Sequence, residues 1–121
     1  MGKNILIIED DEFLIGLLGK KLKSEGFEVS MAKDGKTGAK KAKQEKPDLV
    51  LLDLLLPEID GFEVLAMLKS DPEVKNIPVL VLSNLDQKSD IDKVIKLGAM
   101  EYLIKAQSTP EEIVDRIKKI S

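Results

Sequence analysis

The sequence contains no cysteine and no histidine, and these two absences exclude several kinds of site. Without cysteine the chain can form no disulfide and offers no thiol nucleophile, which is typical of proteins from a reducing compartment. Without histidine it lacks the commonest general base and the commonest zinc ligand. A metal site in this chain would therefore be built from oxygen ligands and would suit a hard cation.

Aromatic residues are also scarce, and acidic residues slightly outnumber basic ones. The net charge is −3, and the aromatic residues are one tyrosine and three phenylalanines. Binding to nucleic acid relies on lysine and arginine to neutralise phosphates and often on aromatic rings to stack bases, so we expect no direct nucleic-acid binding. The lysines between Lys33 and Lys46 are interpreted as a solvated helix face. No apolar stretch is long enough to span a membrane and no signal peptide is evident, which predicts a cytoplasmic protein.

Apolar runs of about four to six residues alternate with longer segments of helical period, which is the pattern of a parallel sheet crossed by helices. The predicted strands lie near Asn4–Ile8, Glu28–Met31, Leu49–Asp53, Val79–Leu82 and Tyr102–Ile104. The predicted helices lie near Glu12–Ser24, Gly35–Gln44, Phe62–Lys69 and Lys88–Leu97, with a last helix that begins at Pro110. A chain of 121 residues fits one domain, and we expect a single domain over residues 1–121 without an output domain.

Right-handed crossovers between these elements predict an α/β fold, the flavodoxin-like doubly wound sheet. Its five parallel strands would run in the order 2-1-3-4-5, with five helices distributed over both faces. In the first helix, apolar residues at helical spacing are expected to face the core: Phe13, Leu14, Leu17, Leu18 and Leu22. The last helix has a clear start, with Thr109 as N-cap and Pro110 in the first turn.

Polar or charged residues stand at the ends of four predicted strands. Glu9 and Asp10 follow the first strand, Asp53 ends the third, Ser83 follows the fourth and Lys105 follows the fifth. Because the first and third strands are neighbours in the predicted order, their carboxylates should converge at one edge of the sheet. Carboxylates, a hydroxyl and an amine at one edge indicate a phosphoryl-transfer site with a hard divalent cation.

These segments closely resemble the receiver domain of bacterial two-component response regulators. The resemblance covers essentially the whole chain and is carried by Ile5–Glu12, Leu51–Pro57 with Asp60-Gly61, Ser83, and Gly98-Ala99 ahead of Tyr102–Lys105. Each segment alone is weak evidence, whereas all of them in this order and spacing are specific. The resemblance implies a phosphorelay signalling domain that accepts a phosphoryl group, rather than a turnover enzyme.

The resemblance also implies a role for each site residue. Asp53 corresponds to the aspartate that becomes phosphorylated, and Lys105 and Ser83 to the groups that contact the phosphoryl oxygens. The implied cofactor is Mg²⁺, with Mn²⁺ as a possible substitute, held by Glu9, Asp10, Asp53 and the backbone carbonyl of Leu55. Ser83 and Tyr102 correspond to the switch residues.

The partners implied by the resemblance are a sensor histidine kinase or phosphotransfer protein as donor, and a downstream protein or a second copy of the chain. The fourth helix, fifth strand and fifth helix would form the surface for the latter. The chain departs from the family at three site positions: Ser83 replaces the commoner threonine, Asn84 a small residue, and Ala106 a proline that usually follows a cis bond. The Lys105–Ala106 bond is therefore either trans, with a different loop, or strained.

Three other interpretations of the same residues can be compared. A haloacid-dehalogenase-type phosphatase would need a second aspartate where Leu55 stands. A flavodoxin-like flavin carrier would need a phosphate-binding loop rich in Ser, Thr or Gly after the first strand, where this chain has acids. A scaffold that works without phosphorylation is the remaining alternative. Asp11 and Glu12 are interpreted as acids that favour the first turn of a helix.

Overall fold

The computed structural model describes residues 3–121, which form five strands and five α-helices. The strands are β1 (Asn4–Ile8), β2 (Glu28–Ala32), β3 (Leu49–Leu52), β4 (Val79–Ser83) and β5 (Glu101–Ile104). The helices are α1 (Glu12–Ser24), α2 (Gly35–Glu45), α3 (Gly61–Ser70), α4 (Lys88–Leu97) and α5 (Pro110–Ile120), and a short 3₁₀ turn, Lys105–Gln107, precedes α5. Every element predicted from the sequence is present, with ends displaced by at most one residue.

The five strands form one parallel sheet in the order β2-β1-β3-β4-β5, which confirms the predicted flavodoxin-like fold. β1 pairs with β2 on one side and with β3 on the other, and its last residue, Ile8, lies opposite Leu52 of β3. The residues that follow β1 and β3 therefore leave the sheet side by side. This register places the ends of two central strands at the edge where ligands bind in doubly wound sheets.

Helices cover both faces of the sheet and divide the core into two layers. Alternate side chains of β1 point to opposite faces, so Leu6 and Ile8 belong to one layer and Ile5 and Ile7 to the other. The first layer contains buried residues of α2, α3 and α4, and the second contains those of α1 and α5. A strand covered on both faces is apolar throughout, which explains the continuous apolar runs of β1, β3 and β4.

The predicted core face of α1 was partly wrong. Phe13 is 80% exposed, whereas Ile15, which the sequence pattern did not select, is buried. The bounds of the helix were predicted correctly, with Asp11 as N-cap accepting hydrogen bonds from the N–H groups of Phe13 and Leu14, so the error concerns only which face packs on the sheet. From that start Ile15, Leu18 and Leu22 recur on one face, and Phe13 lies on the opposite side.

The predicted start of α5 is confirmed by a reciprocal pair of hydrogen bonds. The backbone N–H of Glu112 donates to the hydroxyl of Thr109 at 3.1 Å, and the N–H of Thr109 donates to the Glu112 carboxylate at 2.9 Å. This capping box satisfies N–H groups that have no partner within the helix. It fixes the point at which the chain leaves the turn after β5.

The helices are short compared with a lipid bilayer. The longest of them, α1, has 13 residues and is about 20 Å long. A helix that crosses the hydrocarbon core needs about 20 apolar residues. Within residues 3–121, no helix has the length and apolar character that a membrane span requires.

Candidate functional site

Three carboxylates meet at the carboxyl edge of the sheet. Glu9 and Asp10 follow β1, Asp53 follows β3, and one oxygen of each lies within 4.8 Å of the others. The backbone continues the sheet pairing by one residue, because the N–H of Asp53 donates to the carbonyl of Ile8 at 3.0 Å. The acidic residues named from the sequence are therefore brought together by the pairing of β1 with β3.

The carboxylates differ in their exposure to water. Glu9 is 3% exposed and Asp53 is 4% exposed, whereas Asp10 is exposed. Burial raises the pKa of Glu9 to about 7, and the negative charge of Asp53 contributes in the same direction. Hydrogen bonds from Lys105 and from the backbone of Asp11 lower this pKa but do not compensate for burial. The pocket thus holds negative charge that the protein alone only partly stabilises.

Lys105 bridges the two buried carboxylates. Its Nζ lies 2.6 Å from Oε1 of Glu9 and 2.9 Å from Oδ2 of Asp53. Burial works against the charged amine, but the hydrogen bonds to Glu9 and Asp53 outweigh it, so the pKa of Lys105 is raised. The ammonium group therefore remains charged, at the end of β5, next to the side chain that follows β3.

The donor set fits a hard divalent cation. With Glu9, Asp10 and Asp53 ionised, the single charge of Lys105 leaves two negative charges uncompensated, which is the charge that a divalent cation would neutralise. All three side chains offer carboxylate oxygen atoms. Mg²⁺ and Mn²⁺ prefer such ligands.

The loop after β1 keeps Glu9 turned into the pocket. Its Oε2 accepts hydrogen bonds from the backbone N–H groups of Asp10 at 3.1 Å and Asp11 at 3.0 Å. Asp11 in turn caps α1, and Glu12 lies exposed in the first turn of α1, where it pairs with Lys33. This agrees with the interpretation of Asp11 and Glu12 as acids that serve the start of the helix rather than the site.

The loop after β3 folds tightly over the backbone of Asp53. The N–H of Leu55 donates to Oδ1 of Asp53 at 3.2 Å, so the two oxygens of this carboxylate face different partners. The N–H of Gly61 donates to the carbonyl of Leu54 at 2.9 Å. A Cβ at position 61 would lie 2.3 Å from the carbonyl oxygen of Asp53, so only glycine allows α3 to begin this close to the strand end.

Ser83 and Tyr102 both contact the loop between β4 and α4. Ser83 is fully buried at the end of β4, and its hydroxyl accepts a long hydrogen bond of 3.5 Å from the N–H of Leu85. The hydroxyl of Tyr102 donates to the carbonyl of Leu85, and burial raises the pKa of this tyrosine. The loop is therefore connected to the hydroxyl of Ser83 at the end of β4 and to the hydroxyl of Tyr102 in β5.

A contact that the sequence analysis missed joins Asn84 to Ala106. No peptide bond within residues 3–121 is cis, so the Lys105–Ala106 bond is trans and a 3₁₀ turn follows it. The N–H of Ala106 donates to Oδ1 of Asn84 at 2.9 Å. The only signal in the sequence was that both residues depart from the family pattern, and nothing there indicated that they meet.

Comparison with known proteins supports the family resemblance that the sequence motifs indicated. The family model described as "Response regulator receiver domain" matches residues 5–118. The chain is 39% identical over 120 residues to the alkaline phosphatase synthesis transcriptional regulatory protein PhoP of Bacillus subtilis, which covers 99% of this chain and 49% of PhoP. The chain thus spans about half the length of this relative.

Two further relatives match over most of their own length. The polar-differentiation response regulator DivK of Brucella anthropi is 33% identical over 113 residues, which covers 93% of this chain and 92% of DivK. The Mn²⁺-bound form of the response regulator Rcp1 superposes with a TM-score of 0.85 at 33% identity and covers 97% of this chain and 92% of Rcp1. The fold, the acidic edge and these matches agree, and the chain belongs to the family of response regulator receiver domains.

Proposed function

We propose that this receiver domain accepts one phosphoryl group on Asp53, in a reaction that requires Mg²⁺. The observation that carries the proposal is the environment of the Asp53 carboxylate. It is buried among Glu9, Asp10 and Lys105 at the end of a central strand, with one oxygen bonded to a backbone N–H and the other to an ammonium group. A carboxylate held in this way is an oriented nucleophile rather than a surface charge.

The proposed reaction transfers the phosphoryl group from a leaving group on the donor to the carboxylate of Asp53. One oxygen of Asp53 attacks the phosphorus of the donor, and the bond from phosphorus to the donor breaks with its electron pair leaving on the donor. With acetyl phosphate the leaving group is acetate, and the product on the chain is an acyl phosphate. Lys105 then offers its ammonium group, and Ser83 its hydroxyl, to the phosphoryl oxygens, where positioned charge supplies most of the acceleration.

Glu9, Asp10, Asp53 and the backbone carbonyl of Leu55 would hold the Mg²⁺, with Mn²⁺ as a substitute. When bound, the cation would neutralise the carboxylates and the incoming phosphate. The Mn²⁺-bound form of the relative Rcp1 supports a divalent ion in a protein of this fold. The burial of Glu9 and, to a smaller extent, the nearby charge of Asp53, which together raise the pKa of Glu9, support it independently.

The phosphorylated domain would act through protein partners rather than by turnover. We propose a sensor histidine kinase or a phosphotransfer protein as the donor, and a downstream protein or a second copy of the chain as the target. Ser83 and Tyr102 support this switch, because both contact the loop after β4. A movement of Ser83 toward a phosphoryl group would alter the Leu85 contact of Tyr102 and hence the surface formed by α4, β5 and α5.

The test is labelling of the purified chain by acetyl phosphate, followed by intact-mass spectrometry. We expect the wild type to gain one phosphoryl group with Mg²⁺ and none with EDTA, and Asp53→Asn to gain none. The matched control is Asp48→Asn, which changes an exposed aspartate before the other end of β3 and should label like the wild type. An unlabelled wild type would favour a scaffold that works without phosphorylation, and equal labelling of Asp53→Asn would place the phosphoryl group on another residue.

A further inference from the structure

The turn that carries Lys105 begins directly after Ile104, the last paired residue of β5. It is a three-residue 3₁₀ turn, Lys105–Gln107, and turns of this kind have weak internal hydrogen bonds. The N–H of Ser108 donates to the carbonyl of Lys105 at 3.3 Å, and the Ser108 hydroxyl donates to the carbonyl of Ile104 at 3.0 Å. Both of these bonds remain within the turn and its strand.

The bond from Ala106 to Asn84 is different, because it connects the turn to another loop. Oδ1 of Asn84 accepts from the N–H of Ala106 at 2.9 Å across 22 positions of the sequence. Asn84 directly follows Ser83, and Ala106 directly follows Lys105. Ser83 is paired with Ile104 in the sheet, and this hydrogen bond adds a contact one step beyond that pairing, between the residues that follow the hydroxyl and the amine of the site.

The identity of residue 106 is essential to this contact. Alanine keeps a backbone N–H, whereas proline at the same position would have none to donate. The side chain of residue 84 is equally specific, since a small apolar residue would offer no acceptor. The asparagine and the alanine are therefore chemically complementary at the two ends of one bond.

We propose that Asn84 is a positioning residue that acts on Lys105 through the Ala106 N–H. The Lys105 side chain is long and flexible, so its ammonium reaches Glu9 and Asp53 reliably only if its backbone is fixed. Asn84 supplies that restraint from the β4–α4 loop. The effect on phosphoryl transfer rests on the proposed function of Asp53, whereas the restraint itself does not.

The first experiment follows the rate of labelling by acetyl phosphate. Asn84→Ala should slow labelling about three- to tenfold, the range that corresponds to the loss of one ordinary hydrogen bond. The Mg²⁺ concentration for half-maximal rate should not change, because the proposed ligands follow β1 and β3. The matched control is Asn76→Ala, an exposed asparagine before the opposite end of β4, which should label like the wild type.

A double-mutant cycle tests the route of the effect. If Asn84 acts through the Ala106 N–H, then Asn84→Ala should change the labelling rate little once Ala106→Pro has removed that donor. A simple loss of stability would instead slow labelling by the same factor in both backgrounds. Equal slowing in the presence and absence of Ala106→Pro would overturn the proposal.

A second measurement is independent of phosphoryl transfer and of the proline variant. Hydrogen exchange by NMR should show the Ala106 amide protected in the wild type and in Asn84→Asp, which keeps the acceptor oxygen, and exposed in Asn84→Ala. The Lys105 side-chain resonances should shift in Asn84→Ala and not in Asn76→Ala. An unchanged Ala106 exchange rate, or unchanged Lys105 resonances, would overturn the positioning role. Failure of the wild type to label would instead overturn the function proposed for Asp53.

Discussion

Glu9 and Glu12 are two glutamates three positions apart, and each is paired with a lysine. Their pKa values are nevertheless shifted in opposite directions. The side chain of Glu9 is 4% exposed and lies 2.6 Å from Lys105, whereas that of Glu12 is 73% exposed and pairs with Lys33. The pKa of Glu9 is raised to about 7, mainly by burial. The pKa of Glu12 is lowered, mainly by its hydrogen bond from Lys33.

The comparison shows that a neighbouring lysine does not by itself determine the charge state of a carboxyl group. The carboxylate of Glu12 remains hydrated, so Lys33 adds little to the stability of its charged form. Glu9 has lost its water at the end of a buried strand and shares Lys105 with Asp53, so one cation cannot replace what burial removed. The buried carboxylates near the end of β1 would therefore be stabilised by a further cation, whereas the exposed Glu12 at the start of α1 would not.

The largest expected effect comes from removing the shared cation. Lys105→Met should lower the free energy of unfolding by about 3 kcal/mol in EDTA at neutral pH, because it leaves two buried carboxylates without their partner. Urea denaturation measures the loss, and added Mg²⁺ should recover part of it. Lys33→Met is the control at the exposed pair. Equal unfolding free energies for the two variants would contradict the distinction between the pairs.

The second prediction concerns pH in the metal-free protein. Because the folded pKa of Glu9 is raised from 4.5 to about 7, the folded state binds more protons than the unfolded state between these values. Stability from this group is therefore greatest at low pH and is lost as the pH rises, by about 2 kcal/mol between pH 5 and pH 7. Glu9→Gln should remove this component, so that the variant gains stability relative to the wild type as the pH rises.

The matched variant Glu12→Gln should show the reverse sign. A lowered folded pKa stabilises the protein above the unfolded pKa and is lost as the pH falls, so this variant should lose a little stability at neutral pH and none at acidic pH. Denaturation curves collected across the pH range compare the two variants directly. The same sign for both would show that burial does not separate the two carboxyl groups.

The smallest expected effect belongs to the exposed pair. Lys33→Met should change the melting temperature only marginally at physiological salt, because solvent and ions screen an exposed pair. Raising the salt concentration should likewise leave the difference between wild type and variant near zero. A clear loss of stability, comparable to that of Lys105→Met, would mean that Lys33 and Glu12 are coupled to the fold in a way their exposure does not indicate.

Much of this organisation was predictable from local patterns. The apolar runs and the turn residues between them predicted all five strands and the sheet order, and the Thr109–Pro110 signal predicted the start of α5. Phe13 was predicted wrongly, because the apolar spacing of α1 fits two faces and only packing against the sheet selects between them. The spacing of apolar residues predicts an element well when it fits only one buried face, and it predicts poorly when two faces of a helix are about equally apolar.

The sequence by itself determined which side chains stand at the carboxyl edge of the sheet, because strand ends follow from where each apolar run stops. Only the tertiary structure decided that Glu9 is buried and Glu12 is not, and that Asn84 meets Ala106. Burial depends on which distant segments cover a residue, and a hydrogen bond between loops depends on the relative placement of two strands. Neither the burial of Glu9 nor the bond between Asn84 and Ala106 can therefore be read from the neighbouring residues in the sequence.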